Sequence, residues 1–187
     1  IANNDTFDWY GAVLKSGLQQ NHYVSVSGRT DGGVSYNLGL GLQKETGNVE
    51  NESLDKYSFK LGLNHKINDK FSIGSNITIA RTEQEQGSSI AMQEAFRLSP
   101  FYTPYALDGS LTLMPGKLTD ATGTYLVNKT STINPLLEIA NSSNSIKGWN
   151  GVGSVFAEYK PLSWLSFKTT YSAGLNTMKN GQSWGVL

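Results

Sequence analysis

The sequence predicts an all-β fold, an antiparallel meander of about six long strands with one long loop that contains a short helix. Three observations support this fold class. Apolar and polar residues alternate with a period of two in several stretches, which is typical of strands with two different faces. These stretches reach roughly 12 residues, whereas strands in ordinary globular proteins average about 5 to 6. The connections between them are alternately short and long.

The clearest hairpin runs from Leu54 to Glu83 and turns at residues 68–70. One face of this hairpin is apolar and uncharged, and the other holds lysines, amides, hydroxyls and glycines. The apolar face comprises Tyr57, Phe59, Leu61, Leu63, Ile67, Phe71, Ile73, Ile77 and Ile79. Such sorting predicts that the two faces meet different environments.

Another hairpin precedes it, with strands at 21–30 and 34–45 joined by Asp31-Gly32-Gly33. Aspartate and glycine provide the positive φ angles that a tight hairpin turn requires. The second strand places Val34, Tyr36, Leu38, Leu40 and Leu42 on one face. A polar connection follows at residues 46–53. We expect a brief helix or an irregular approach segment over residues 1–20.

The segment 82–148 has no sustained alternation and is far longer than an ordinary connection of about 4 to 6 residues. Within it, Ser88 and Ser89 precede an apolar stretch that predicts a short helix, which Pro100 ends. Alternation resumes near Trp149, and a turn at 161–163 leads into the last strand. In the strand before that turn, Val152 and Phe156 fall on the otherwise polar face.

Composition excludes several classes of function. With 15 basic and 15 acidic residues, the chain has no charge excess for binding nucleic acid. It has no cysteine, so disulfides, thiolate metal sites and cysteine nucleophiles are absent. His22 and His65 lie on different strands without carboxylates at metal-ligand spacing. We therefore expect no metal, no cofactor and no enzymatic activity.

The aromatic residues in and beside the long loop are the candidate ligand contacts. These are Phe101, Tyr102, Tyr105, Tyr125 and Trp149. Aromatic faces stack on sugar rings and on peptide side chains, so the cluster is a candidate for ligand capture. Packing of the loop against neighbouring loops, a plug or a lid is the other interpretation, and the sequence leaves both open.

The alternation of short and long connections favours a transmembrane β-barrel, in which short periplasmic turns alternate with long extracellular loops. This orientation places the segment 84–148 outside the cell. It also predicts that Leu38, Leu40, Leu61, Leu63, Ile73 and Ile77 face lipid. Small polar replacements of Asn64 or Gly74 on the opposite face are expected to be milder than an arginine at Leu40 or Leu61.

Several segments in this order resemble the early barrel of the SusC/RagA family of TonB-linked outer-membrane transporters. They are Asp8-Trp9, Gln20 to Gly28, Tyr36-Asn37-Leu38-Gly39-Leu40, Glu45-Thr46-Gly47, Tyr57 to Asn68, Asn134-Pro135-Leu136-Leu137-Glu138, Ala157-Glu158-Tyr159-Lys160 and Trp164-Leu165. The resemblance covers nearly the whole chain. It implies that residues 1–187 are a fragment of a barrel of about 22 strands, whose plug and remaining strands are absent here.

The resemblance also implies a function and partners. Members of the family import oligosaccharides or peptides across the bacterial outer membrane, with a SusD-like surface lipoprotein as a lid. The remaining partners are the plug, the rest of the barrel, outer-membrane lipid, and TonB through a segment that this chain lacks. The alternative from another class is a soluble all-β carbohydrate-binding module, whose apolar faces would form a core.

Overall fold

The computed structural model of the chain describes residues 6–120, 123–126 and 131–185, without the side chains of 117–120 and 123–126. Three short helices and eight strands follow one another along it. They are α1 (Trp9–Val13), β1 (Leu18–Arg29), β2 (Val34–Thr46), β3 (Glu52–Lys66), β4 (Phe71–Gln86), α2 (Ala91–Arg97), β5 (Lys117–Asp120), β6 (Gly123–Leu126), α3 (Pro135–Asn141), β7 (Ser142–Leu162) and β8 (Leu165–Trp184).

Six of the strands form one antiparallel sheet in the order β1-β2-β3-β4-β7-β8, and β5 and β6 form a separate two-stranded ribbon. The strands of the large sheet follow one another in chain order, because the chain leaves β4, passes through the long loop that contains β5 and β6, and returns to pair with β4 as β7. The predicted meander is thus confirmed, and so is the pairing of β2 with both β1 and β3. No helix among the described residues is long and apolar enough to cross a membrane.

The long loop is shorter than the sequence predicts. β4 continues to Gln86 and β7 begins at Ser142, so the loop spans 87–141 rather than 82–148. The two strands still pair in this region, where Glu85 lies opposite Ser145. Apart from Ile146, both faces of the added stretches are polar. Hydrophobic alternation therefore gives no signal there, although the backbone pairing persists.

The two tight turns are set by local side-chain and backbone chemistry. Gly33 adopts a φ of 78° between β1 and β2, as the predicted turn requires. Between β3 and β4 the side-chain oxygen of Asn68 accepts hydrogen bonds from the backbone N–H groups of Lys70 (2.9 Å) and Phe71 (2.8 Å). Asparagine stabilises turns in this way.

Directly opposed residues of an antiparallel pair share a face of the sheet, so the register shows how the faces continue from strand to strand. Val26, Leu38, Leu61 and Ile77 are successive partners across β1 to β4, and the same row ends at Gly153 and Ala173. The predicted apolar residues therefore form one continuous surface, here called the apolar face. Leu40 in this face is 55% exposed.

The opposite surface, here called the polar face, explains the two residues that broke the predicted pattern. Phe156 lies over Gly74, and the ammonium of Lys168 lies 4.5 Å from the centre of its ring. Val152 lies opposite Gly174 and Thr78 on the same face. A glycine beneath an aromatic ring leaves space that the ring fills, so the exception is a packing arrangement within the sheet.

From β1 to β7, the strand ends at the short hairpins lie progressively further along the strand direction. Arg29, Ser35, Asn64, Gly74 and Phe156 belong to one row of partners. β1 ends at this row, β3 continues to Lys66, and β7 continues to Leu162. A stagger of this kind accompanies strands that are tilted in a barrel wall.

The buried core lies outside the sheet. It consists of Trp9, Val13, Ala91, Ala95, Leu98 and Ile139, with Phe7, Val49 and Tyr102 packed against it. These residues come from the three helices and the segments beside them, at the end of the sheet where the long connections lie. We call α1, α2, α3 and the described parts of the segment 98–134 the cap.

Gly74 provides a test of the polar face. A Cβ atom at this position would lie 2.7 Å from the Leu63 carbonyl oxygen and 2.5 Å from the Phe156 ring. A small polar side chain at Gly74 therefore requires a shift of the Phe156 ring or of the backbone. We expect Gly74→Ser to lower the free energy of unfolding by about 1 to 3 kcal/mol, as measured by urea unfolding of the protein.

The matched control is Gly174→Ser on the same face. A Cβ at Gly174 meets nothing closer than 3.6 Å, so this variant should unfold as the parent does. Equal losses in the two variants would contradict the packing of Phe156 over Gly74.

Candidate functional site: the cap and the apolar face

The cap begins with α1, which is tied to the segment after α2. Asp8 caps this helix by accepting a hydrogen bond from the Gly11 N–H at 2.9 Å. The Trp9 indole N–H donates to the Ser99 carbonyl at 3.0 Å, and the Phe7 N–H donates to the Pro100 carbonyl at 2.7 Å. The brief helix expected within residues 1–20 is thus present, and its buried face lies in the core of the cap.

α2 is the helix predicted in the long loop. The N-cap position is Ile90 rather than the predicted Ser88 or Ser89, although the Ser88 hydroxyl accepts a hydrogen bond from the Ala91 N–H at 3.1 Å. Glu94 is buried, and its carboxylate accepts a hydrogen bond from the Ile133 N–H at 3.1 Å. Arg97 lies 3.4 Å from the other oxygen of the same carboxylate. The buried acid therefore links α2 to the segment before α3.

Asn134 connects three parts of the cap and is fully buried. Its side-chain N–H₂ donates to the carbonyls of Pro104 (2.9 Å) and Thr112 (2.8 Å). Its side-chain oxygen accepts from the Leu136 N–H at 3.1 Å and caps α3, in which Pro135 occupies the first turn. The Asn-Pro-Leu-Leu-Glu motif is therefore a helix start that also fixes the loop beside it.

The cap is joined to the sheet by polar contacts at its lower side. Asn51, which has a φ of 64°, donates from its side chain to the Ile139 carbonyl at 3.0 Å. Lys15 and Glu50 form an ion pair at 3.1 Å. Ser142 begins β7 and donates to the Glu138 carbonyl at 2.5 Å. These contacts place the helices over one end of the sheet.

Three of the predicted ligand contacts lie together in the cap but differ in exposure. Tyr102 packs against the buried core. Tyr105 is half-exposed and makes an edge-to-face contact with Phe7, with ring centres 6.5 Å apart. Phe101 is 73% exposed, so its ring is free to contact a ligand or a partner. Of these three neighbouring residues, Tyr102 packs into the core of the cap, whereas Phe101 is exposed.

The other two predicted contacts lie elsewhere. Trp149 is in β7 on the apolar face, where the Arg81 guanidinium carbon lies 5.5 Å from its ring centre. Tyr125 belongs to β6, and its side chain lies outside the described ones. The structure therefore separates Trp149 from the cap cluster. Sequence order alone placed it beside the loop, since it follows the loop closely in the chain.

Sequence reasoning missed one exposed aromatic pair of the cap. Tyr10 of α1 and Phe96 of α2 make an edge-to-face contact with ring centres 4.7 Å apart, and both are exposed. The signal was present in the helix periodicity, because Phe96 lies on the side of α2 opposite to the buried Ala91 and Ala95. A pairing between two separate helices was not visible in the sequence.

Two exposed carboxyl groups have shifted pKa values. The Lys66 ammonium hydrogen-bonds to Asp69 at 2.6 Å and lowers the pKa of that carboxyl, with a further contribution from its positive charge. In the cap, the hydroxyl and N–H of Ser110 both donate to Asp108 and lower its pKa. Both groups stabilise turns. Among the described residues, no group of three or more His, Cys, Asp or Glu is placed to hold a metal ion.

Comparisons with known proteins agree on one kind of protein. No protein-family model matches the chain. The TonB-dependent receptor P26 of Formosa agariphila is 24% identical over 175 residues, which cover 94% of this chain and 16% of that receptor. The solved structure of the RagAB peptide importer in the closed-closed state matches with a TM-score of 0.72 and 17% identity. The open-open state of RagAB gives a TM-score of 0.72 and 18% identity.

The resemblance to TonB-dependent receptors of the SusC/RagA type is confirmed. Both RagAB matches cover 96% of this chain and 20% of the solved one. The chain described here therefore spans about a fifth or less of the length of these proteins. Its six-stranded meander is the fold of part of a TonB-dependent barrel.

Proposed function

We propose that the receptor segment is part of an importer of the bacterial outer membrane, with its six strands forming a section of the barrel wall. The remaining strands and the plug would complete the barrel, and energy would be supplied through TonB. The observation that carries the proposal is the continuous apolar face, which is uncharged from Val26 through Leu38 and Leu61 to Ile77. Its strands have 12 to 21 residues, more than the roughly 9 to 11 that cross a bilayer.

Lipid is the environment that the apolar face requires. Among the described residues, no second sheet covers this face, and Val24, Leu40, Tyr171 and Leu175 are each more than half exposed. A soluble carbohydrate-binding sandwich would bury such a face against another sheet. The exposed face therefore supports the membrane interpretation over the soluble one.

The cap supports an extracellular position for the long loop. Its helices and irregular segments lie at the end of the sheet opposite to the short hairpins. Irregular backbone is not tolerated in the hydrocarbon layer, where its polar groups have no water to bind. Short turns face the periplasm in outer-membrane barrels, so the cap would lie outside the cell.

The exposed aromatic residues of the cap are the proposed ligand contacts, with Phe101 the most accessible of those predicted contacts whose side chains the structure describes. Oligosaccharides or peptides are the proposed substrates, since both offer surfaces on which aromatic rings stack. The lid would be a SusD-like surface lipoprotein. RagAB is a peptide importer, and the similarity of this chain to RagAB supports peptides as one of the two substrate classes.

Deletion of residues 105–130 tests the role of the cap. In cells that produce the complete receptor, we expect this deletion to abolish most uptake of labelled peptides or oligosaccharides, or association with the lid, while the barrel still assembles. The reason is that β4 and β7 keep their long pairing, which runs from Phe71 opposite Tyr159 to Glu85 opposite Ser145. Uptake, copurification of the lid, and the heat-dependent gel mobility of the barrel are the measurements. Unchanged uptake and unchanged lid binding would overturn the proposal.

A further inference from the structure

A row of charged residues marks the end of the apolar face nearest the cap. Its members are successive partners across five strands, in the order Lys44, Asp55, Glu83, Lys147 and Lys179. The neighbouring row, one step further from the cap on the same face, contains Leu42, Tyr57, Arg81, Trp149 and Thr177. The apolar face therefore changes to a charged surface within two residues.

The charges in this row are unevenly distributed. Lys44 and Asp55 are partners of opposite sign, and the Glu83 carboxylate is paired with Arg81. Lys147 and Lys179, in contrast, lie directly opposite each other on β7 and β8. Both are exposed, and neither ammonium group forms an ion pair or a hydrogen bond with any residue of the described part of the chain. Two like charges at directly opposed positions destabilise a strand pair unless an anion lies between them.

Uncharged donors surround the two lysines on the same face. Ser145 lies two residues from Lys147 in the direction of the cap, and Thr177 lies two residues from Lys179 in the direction away from the cap. A pair of ammonium groups flanked by hydroxyls fits a phosphate, which accepts several charge-assisted hydrogen bonds.

An apolar groove adjoins this cationic pair. It has a volume of about 610 Å³ and is lined by Leu40, Tyr57, Phe59, Ile79, Arg81 and Trp149. Trp149 is the direct neighbour of Lys147 on this face, so the groove begins where the charged row ends. An acyl chain fits such a groove, and tryptophan is typical of the boundary between hydrocarbon and water.

We propose that Lys147 and Lys179 bind the phosphate group of an anionic lipid of the outer leaflet, with an acyl chain of the same lipid in the adjoining groove. The inference rests on the proposed function, because it requires the apolar face to contact the bilayer. The positive charges of the two lysines attract the negative phosphate, and each lysine near an anionic membrane surface strengthens this attraction.

The test uses the complete receptor in neutral detergent and measures binding of diphosphorylated lipid A by native mass spectrometry. The variant Lys147→Gln/Lys179→Gln should weaken this binding by roughly thirty-fold, which is the loss expected for two lysines at a lipid surface. The matched control is Lys56→Gln/Lys60→Gln, which removes the same charge from the polar face. The control variant should bind lipid A as the parent does.

Three outcomes would overturn the proposal. The first is an equal loss in both double variants, which would show an effect of net charge. The second is unchanged binding of lipid A after its phosphates are removed. The third is displacement of lipid A by inorganic phosphate at equal concentration, which would identify a site for free anions rather than for a lipid.

A second readout separates this proposal from the proposed function. The chain has no cysteine, so a fluorophore attached at Leu40→Cys reports on the apolar face. Quenching by lipids with brominated acyl chains is expected if that face contacts lipid. Absence of quenching would contradict the barrel assignment itself, whereas quenching together with charge-independent lipid A binding would contradict only the phosphate site.

Discussion

An arginine in place of Leu40 or Leu61 is expected to destabilise the complete receptor barrel by about 2 to 4 kcal/mol if the position lies near the middle of the bilayer. Both leucines belong to the uncharged apolar face, where Leu40 lies opposite Phe59 and Leu61 lies opposite Ile77. A guanidinium there would have to leave water without a partner. A reversible folding titration in lipid vesicles measures the change.

The control for this prediction is Asn76→Arg on the polar face. Asn76 lies between Gly62 and Ser154 and next to Ile77 in the chain, so its depth is nearly that of Leu61, and its immediate partners are uncharged. An arginine there would point away from lipid and should cost much less. If the two faces tolerated arginine equally, the assignment of the apolar face to lipid would be wrong.

The replacement Asn134→Ala should reduce the local stability of the cap by about 2 to 5 kcal/mol. It removes the cap of α3, which is worth about 1 kcal/mol, and leaves the Thr112 carbonyl without its side-chain donor, at about 1 to 3 kcal/mol. The Pro104 carbonyl also loses this donor but keeps the Thr112 N–H at 2.8 Å, so its loss adds at most about 1 kcal/mol. Hydrogen exchange of peptides from residues 88–141 measures this loss. The strands β4 and β7 should retain their protection, because their pairing does not involve Asn134.

Asn134→Ser separates the two contributions. Serine caps a helix nearly as well as asparagine but provides no second donor for the two carbonyls. We therefore expect the serine variant to recover only the smaller part of the loss. A serine variant as well protected as the parent would show that the two side-chain donors contribute little.

The pairing of the large sheet was predictable because a strand whose two faces meet different environments has apolar and polar residues that alternate with a period of two. It identified β2 and β3 with nearly their full length, and the glycine turn before Val34 set the register. The signal fails where both faces are polar. That is why β4 was predicted to end near Arg81 rather than at Gln86, and why β7 was predicted to start near Trp149 rather than at Ser142.

The structure of the cap was less predictable, because the arrangement of its segments depends on contacts between residues that are distant in the sequence. The stretch around Ser88 and Pro100 carries its own capping and stop signals, and α2 was predicted from them. α3, β5 and β6 were not, although Asn134 and Pro135 form a recognisable helix start. The bonds from Asn134 to Pro104 and Thr112 join residues at least 22 positions apart, which no local pattern encodes.

The stagger of the short hairpins, together with the unequal strands, would give the wall of the proposed barrel an uneven height. Strand length rises from 12 residues in β1 to 21 in β7, and at about 3.3 Å per residue β7 is far longer than the roughly 30 Å of hydrocarbon that it would cross. If the short hairpins of the proposed barrel lay level at the inner surface of the membrane, its outer rim would slope upward from β1 toward β8. α3 runs directly into the start of β7, so the cap adjoins the high side of this slope. A large solute approaching from outside would therefore meet a tall wall above β7 and β8 and a lower one above β1 and β2.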